Sequence, residues 1–226
     1  MSATDLENPD HFPAEQRGAS LKGPAGRLEV MLDAAEGGPA RAVAVICHSV
    51  SAEGGSLHSK VVQMMERSLR ELGAHTIRLN FRGVGESEGS FDRGFGESED
   101  LLAVCQWSRQ VQPDLPLWLA GYGFGAYVTA RAAPSVMPQH LTSVAPLIDQ
   151  FDFSPLPRAE CPWMIVQGDT DECVVPDAVY SWAQELPGDI QFIPMEDADH
   201  EFHRRLMDLR GVLKNGIKRQ LDLSDR

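Results

Sequence analysis

Three short segments in the second half of the sequence carry residue types that can act together in catalysis. Gly121–Gly125 reads G-Y-G-F-G, the carboxylates Asp169 and Asp171 follow an apolar run, and His200 ends an acidic stretch. A carboxylate that orients an imidazole makes it a general base, and a hydroxyl or water that gives its proton to that base becomes a nucleophile. The residue types therefore favour hydrolysis or a related acyl transfer.

The apolar patterns place these segments where strands end. A continuous apolar run at 41–48 is typical of a strand covered on both faces, and apolar residues at helical spacing follow it. Strands are predicted at about 15–22, 27–33, 41–48, 75–81, 115–120, 141–147, 162–167 and 190–194. Helices are predicted at about 61–72, 96–111, 177–186 and 200–217, with another directly after Gly125.

Alternation of strands and helices predicts an α/β fold, with a mostly parallel central sheet and helices on both faces. The 226 residues show no repeat or linker, so we expect a single domain over residues 1–226, with about 1–14 flexible. Only a short loop, Ile148–Cys161, separates two predicted strands late in the chain. We therefore expect no cap domain.

The G-Y-G-F-G segment has the frame G-x-S-x-G, in which a strand turns sharply into a helix. In such a turn the middle residue projects its side chain above the sheet, and the helix N-terminus offers amides to an oxyanion. The same frame in the form G-x-G-x-x-A, through Ala126, also fits a dinucleotide-binding turn, with Asp149 as the ribose acid. That alternative leaves Asp171 and His200 without a role, and such a turn usually opens the first strand–helix–strand unit.

Taken in order, these motifs resemble the α/β-hydrolase family, and in particular its small, lidless branch of serine hydrolases and esterases. The resemblance runs from about residue 27 to the last helix and includes Cys47-His48, Gly54-Gly55 and the loop Asn80–Ser87. It implies the chain order nucleophile, acid, base at positions 123, 171 and 200. It also implies oxyanion donors at the backbone of Phe124 and of Ser49-Val50, with His48 and Tyr122 beside the substrate.

Position 123 departs from the family pattern, because it holds glycine where the family holds serine. Glycine has no side chain, so no acyl-enzyme can form on it. We therefore expect little conventional esterase activity, in a protein that still binds a small ester or acyl ligand. One alternative is an active hydrolase in which His200, oriented by Asp171, activates water or another serine. Another alternative is a binding or interaction module without catalysis.

Other side chains near the predicted site are candidates for a substitute nucleophile. Ser49 and Ser51 lie on the oxyanion side and are preferred to Tyr122 and Cys47, which we expect to be packed against the sheet. Two further histidines, His58 and His203, are predicted to be non-catalytic.

Composition narrows the classes of function. The net charge is −13, from 20 basic and 33 acidic residues, so the chain as a whole repels nucleic acids and anionic membrane surfaces. No apolar run is long enough to cross a membrane, and residues 1–21 lack the pattern of an export signal. We expect a cytoplasmic protein without a cofactor. The oligomeric state is not readable from the sequence.

The cysteines are interpreted as reduced and mostly buried. Four are present, none in a Cys-x-x-Cys pair, and each lies in or beside an apolar stretch. The spacing of potential ligands predicts no metal site. The cysteines are Cys47, Cys105, Cys161 and Cys173.

Overall fold

The computed structural model describes residues 6–50, 55–156 and 159–223. Its strands are β1 (Leu6–Glu7), β2 (Arg17–Gly23), β3 (Gly26–Asp33), β4 (Ala42–Cys47), β5 (Ala74–Leu79), β6 (Leu117–Tyr122), β7 (His140–Val144), β8 (Trp163–Gly168) and β9 (Ile190–Met195). Its helices are α1 (Lys60–Glu71), α2 (Phe95–Val111), α3 (Phe124–Val136), α4 (Pro176–Glu185) and α5 (Leu206–Gln220).

All the strands join one sheet in the order β1-β2-β3-β5-β4-β6-β7-β8-β9. Strands β4 to β9 run parallel, whereas β3 pairs antiparallel with both β2 and β5. The predicted mostly parallel α/β sheet is thereby confirmed. Because parallel strands end at the same edge, the segments that follow β4, β6 and β8 lie together there.

Hydrophobic cores lie on both faces of the sheet, as the apolar run at 41–48 predicts. Alternate residues of β4 enter different cores: Val43, Val45 and Cys47 pack on one side, and Ala42, Ala44 and Ile46 on the other. The first core includes side chains of α2, α3 and α4, and the second includes side chains of α1 and α5. The sheet is therefore covered by helices on both faces.

The last helix begins later than predicted. The apolar spacing favours a helix from residue 200, but residues 200–205 form turns and α5 begins at Leu206. Phe202 and Arg204 have φ values of 55° and 64°, which a right-handed helix does not allow. The turns leave His200 on a loop beside the sheet edge. The strand predicted at 141–147 is also shorter, since β7 ends at Val144.

The segment expected to be flexible, about 1–14, is described from residue 6 onward. The Trp107 indole donates a hydrogen bond to the Pro9 carbonyl at 2.8 Å, and the Phe12 ring stacks on His75 with centroids 4.4 Å apart. These contacts hold residues 9–12 against the domain. Residues 1–5 lie outside the described part of the chain.

The connection between β7 and β8 is short, as expected for a fold without a cap. Its described residues, 145–156 and 159–162, contain no helix or strand. In the part of the chain that the structure describes, no helix is long and apolar enough to cross a membrane.

Candidate active site

Gly123 stands between the last residue of β6 and the first residue of α3. Its backbone has φ 55° and ψ −115°, a conformation that side-chain-bearing residues rarely adopt. Its N–H donates to the Val144 carbonyl at 2.9 Å, and its carbonyl accepts from the Ala126 N–H at 3.1 Å. The sharp strand-to-helix turn is therefore present, although the residue on it has no side chain.

Asp171 and His200 lie side by side at the carboxyl ends of β8 and β9. His200 Nδ1 is 2.9 Å from Asp171 Oδ2, and both side chains are buried. The Asp171 carboxylate also accepts from Gln167 Nε2 at 2.8 Å and from the Cys173 N–H at 2.8 Å. The alternative carboxylate, Asp169, is exposed.

The hydrogen bonds of Asp171 set its charge. Burial by itself raises the pKa of Asp171, but the hydrogen bonds from His200, Gln167 and the Cys173 N–H outweigh it, so the pKa lies below its usual value. Asp171 is therefore ionised at neutral pH and keeps the proton of a neutral His200 on Nδ1. This leaves His200 Nε2 as a proton acceptor.

His200 Nε2 faces the position where a side chain on residue 123 would begin. A Cβ atom built on Gly123 would lie 3.5 Å from Nε2. The structure therefore brings together the three positions, 123, 171 and 200, that the sequence analysis selected. The His200 imidazole and the Asp171 carboxylate are hydrogen-bonded to each other, and position 123 carries no hydroxyl.

Ser49 occupies the space beside Gly123. The same Cβ on residue 123 would lie 2.7 Å from Ser49 Cβ and would overlap Ser49 Oγ. The Phe124 N–H, a predicted oxyanion donor, donates to Ser49 Oγ at 3.4 Å. A serine hydroxyl therefore borders the point that His200 Nε2 faces, although it comes from the loop after β4.

His48 holds this loop and is uncharged at neutral pH, with its single ring proton on Nδ1. Its Nε2 accepts from the Phe81 N–H at 3.1 Å, so its Nδ1 donates to the Ser49 carbonyl at 2.7 Å. Burial lowers the pKa of His48 to about 4. It therefore acts as a structural residue that fixes the backbone of Ser49.

The other proposed nucleophiles are poorly placed or protonated. Burial raises the pKa of the Tyr122 hydroxyl and raises that of the Cys47 thiol well above its usual value. The Tyr122 ring lies against His200, with centroids 5.2 Å apart, and lines the same cleft. Ser51 lies outside the described residues, as does Gly54.

A cleft of about 550 Å³ opens over this site. Ser49, Val50, Tyr122 and His200 all line it, whereas His48, predicted beside the substrate, and Phe124, predicted as an oxyanion donor, are fully buried and do not line it. Its volume lies in the range that small organic ligands occupy. His58, predicted to be non-catalytic, also lines the cleft.

Sequence reasoning missed Cys173, which is exposed and faces the same cleft. One ligand atom each from Asp171, Cys173 and His200 lie within 4.8 Å of one another, a cluster that could hold a metal ion despite the prediction of no metal site. Burial raises the pKa of the Cys173 thiol, and the carboxylates of Asp171 and Glu172 raise it further. The protonated thiol and the existing hydrogen bond between Asp171 and His200 both oppose metal binding. The spacing Asp171-x-Cys173 is the signal that could have identified this neighbour.

The remaining cysteines agree better with the prediction. Cys47 and Cys105 are buried and Cys161 is partly buried. The dinucleotide alternative gains no support, since Asp149 accepts from the Val175 N–H at 3.2 Å beside the start of α4. That hydrogen bond gives the carboxylate a structural role.

Comparison with known proteins agrees with this geometry. Residues 40–216 match the family model described as an alpha/beta hydrolase domain. The chain belongs to the α/β-hydrolase family. The match spans the strand before Ser49 and all three positions 123, 171 and 200.

Solved structures and a curated relative extend the comparison of this α/β-hydrolase. XC6422 from Xanthomonas campestris, described as an a/b serine hydrolase without lid, is 46% identical over 93% of this chain and 97% of its own, with a TM-score of 0.89. An alpha-beta serine hydrolase homologue from Coxiella burnetii is 38% identical over 91% of this chain and 99% of its own, with a TM-score of 0.87. The uncharacterized protein RP471 of Rickettsia prowazekii is 32% identical over 80% of each chain.

Proposed function

We propose that this α/β-hydrolase cleaves small esters or related acyl compounds with His200 as general base and without an acyl intermediate on residue 123. The observation that carries the proposal is the orientation of His200. Its Nδ1 is bound to Asp171 at 2.9 Å, while its Nε2 lies 3.5 Å from the Cβ position of residue 123. A chain that keeps this pair buried in an open cleft retains the acid–base half of the reaction.

The reaction needs a hydroxyl that residue 123 does not supply. His200 Nε2 takes the proton from that hydroxyl while the hydroxyl oxygen attacks the carbonyl carbon of the ester. The predicted oxyanion donors are the Phe124 N–H, which in the structure donates to Ser49 Oγ at 3.4 Å, and the backbone of Ser49-Val50. His200 then gives the proton to the leaving alcohol. Conventional serine-esterase chemistry on residue 123 stays excluded by its glycine.

The second candidate function is binding of an acyl or ester-like ligand without turnover. The loss of the residue-123 hydroxyl favours it, because enzymes that lose a triad member fall by orders of magnitude in rate. Both candidate functions use the same cleft. Turnover of an ester is expected for the first candidate only.

The test is hydrolysis of p-nitrophenyl acetate by the unchanged protein and by His200→Ala, each with and without EDTA. We expect the unchanged protein to turn the ester over and His200→Ala to lose about 100-fold or more in kcat/KM, since general-base catalysis contributes that much. EDTA should leave both rates unchanged. Equal rates for the two proteins would show that His200 does not act as the base and would overturn the proposal, and a loss of rate in EDTA would indicate a metal-bound water instead.

A further inference from the structure

The backbone that carries Ser49 is held on two sides beside Gly123. The Ser49 carbonyl accepts from His48 Nδ1 and lies so close to Gly55 that a Cβ there would overlap it. On the other side, a Cβ on Gly125 would lie 2.6 Å from the Cys47 carbonyl carbon. The loop after β4 is thus clamped against the turn into α3, and Ser49 points into that turn.

The hydroxyl of Ser49 lies where a side chain on residue 123 would begin. Ser49 is only 5% exposed, yet it lines the cleft, as a nucleophile at the base of a substrate site should. Ser49 Oγ and His200 Nε2 border the same small volume, the one a residue-123 side chain would fill. Side chains at positions 49 and 123 therefore exclude each other in this backbone.

We infer that Ser49 is the nucleophile of this hydrolase, an inference that rests on the function proposed above. The Ser49 hydroxyl proton passes to His200 Nε2, and Ser49 Oγ forms a bond to the ester carbonyl carbon. The tetrahedral adduct collapses, the bond to the alcohol breaks, and His200 gives its proton to that alcohol. Water then gives a proton to His200 and attacks the acyl carbon, and Ser49 Oγ leaves with the proton. The sum is ester plus water giving acid plus alcohol.

The experiment combines covalent labelling with kinetics. The unchanged protein, Ser49→Ala, His200→Ala and Ser181→Ala are each treated with a fluorophosphonate probe, whose phosphorus bonds to an activated serine as fluoride leaves. Intact mass counts the adducts and peptide mapping locates them. The same four proteins hydrolyse p-nitrophenyl acetate in a stopped-flow instrument. Ser181 is an exposed serine of α4 that does not line the cleft and donates its hydroxyl to the Asp177 carbonyl. It serves as the matched control.

We expect one adduct, on Ser49, in the unchanged protein and in Ser181→Ala. Ser49→Ala and His200→Ala should carry none and should lose about 100-fold or more in kcat/KM, and the burst of p-nitrophenol should disappear. If neither Ser49→Ala nor the unchanged protein is labelled, and Ser49→Ala keeps the hydrolysis that depends on His200, water is the nucleophile. The proposed function then stands and this inference fails. If the unchanged protein shows no His200-dependent hydrolysis and no label, the proposed function fails as well.

A second pair of variants tests the exclusion between the two positions and does not depend on Ser49→Ala folding well. Gly123→Ser alone should lower Tm, because its Cβ would lie 2.7 Å from Ser49 Cβ. Adding Ser49→Gly should recover part of the lost Tm, since the φ of 55° still strains a side chain at residue 123, and should move the adduct to position 123. A single Gly123→Ser variant with unchanged Tm and its own label would show that Ser49 does not occupy this space, which would overturn the inference.

Discussion

Two aspartate–histidine pairs, whose histidines are neighbours in the sequence, have the same distance between ring nitrogen and carboxylate oxygen. His200 Nδ1 is 2.9 Å from Asp171 Oδ2, and His203 Nδ1 is 2.9 Å from Asp199 Oδ2. Their exposure differs: the first two side chains are 8% and 0% exposed, and the second two are 60% and 34% exposed. A short distance between an imidazole and a carboxylate is therefore common to both pairs and does not by itself mark a catalytic one.

The pairs also differ in what the second ring nitrogen faces. His200 Nε2 faces the space shared by Gly123 and Ser49, whereas His203 Nε2 lies 3.5 Å from the carboxylate of Glu201. Only the first pair combines burial with an open cleft and a hydroxyl. The comparison teaches that the surroundings of the imidazole, more than its partner, decide whether it can act as a base.

The largest expected difference between the pairs is in activity. His200→Ala should reduce kcat/KM for p-nitrophenyl acetate by about 100-fold or more, because the proton acceptor is lost. His203→Ala removes an exposed imidazole from the same loop and should change kcat/KM by less than about twofold. Steady-state kinetics of both variants, with circular dichroism to verify folding, measures the contrast. Similar losses in the two variants would contradict the assignment of His200 as the base.

The sequence could predict the sheet because each strand carries its own pattern. The run Ala42–Cys47 is apolar without interruption, and the structure buries all of it between two layers of helices. Positions 171 and 200 were selected because they fit the order of the family's acid and base. Local spacing alone would not distinguish Asp171 and His200 from Asp199 and His203. Local patterns predict elements well when burial on both faces determines them.

Other features depend on contacts that no local pattern records. The first turn of the predicted last helix is replaced by residues with positive φ, including Phe202, whose side chain is buried. The position of Ser49 depends on a loop that Gly125, more than 70 residues away in the chain, allows to come close. Cys173 is exposed at the cleft, and its N–H donates to the Asp171 carboxylate. These are tertiary contacts, so the sequence predicts them poorly.

The next largest difference concerns stability. Asp171→Asn removes a carboxylate that accepts four hydrogen bonds in a buried site and should lower the free energy of unfolding by about 1–3 kcal/mol at pH 7. Asp199→Asn should change it by less than about 1 kcal/mol, since its pair is exposed. Urea unfolding of both variants measures the difference.

The pH dependence has a definite sign. The folded-state pKa of Asp171 is lowered, so its contribution to stability is present above the unfolded pKa, about 4, and is lost as pH falls through the folded value. Asp171→Asn should therefore lose less stability than the unchanged protein on acidification below about pH 4. If both proteins lose stability equally there, the carboxylate is not held ionised by its hydrogen bonds.

His48 extends the comparison to a buried histidine without a carboxylate. Burial lowers its folded-state pKa to about 4, so the unfolded chain takes up a proton first as pH falls below about 6.5. Stability should decrease between pH 6.5 and 4 and level off below, with a loss of about 2 kcal/mol at pH 5 from this residue.

The matching variants are His48→Gln and His140→Gln. Burial lowers the pKa of His140 to about 4 as well, although a hydrogen bond with Gln220 partly opposes this. Each variant should make the free energy of unfolding less dependent on pH between 6.5 and 4, and the double variant should flatten it most. Urea titrations at pH 7, 6 and 5 give the slopes. A slope that stays unchanged in both single variants would show that neither histidine is neutral in the folded protein at pH 5.

The smallest expected effect belongs to the exposed pair. A double-mutant cycle with Asp199→Asn and His203→Ala should give a coupling energy below about 0.5 kcal/mol at pH 7. Water weakens an exposed pair, and holding both side chains in one geometry costs conformational entropy. Salt at about 1 M should reduce it further, since exposed charges are screened. The same cycle on Asp171→Asn and His200→Ala should give a larger coupling that depends little on salt. Comparable couplings for the two pairs would mean that burial adds nothing to the strength of the Asp171–His200 pair, and that its orientation toward Ser49 alone distinguishes it.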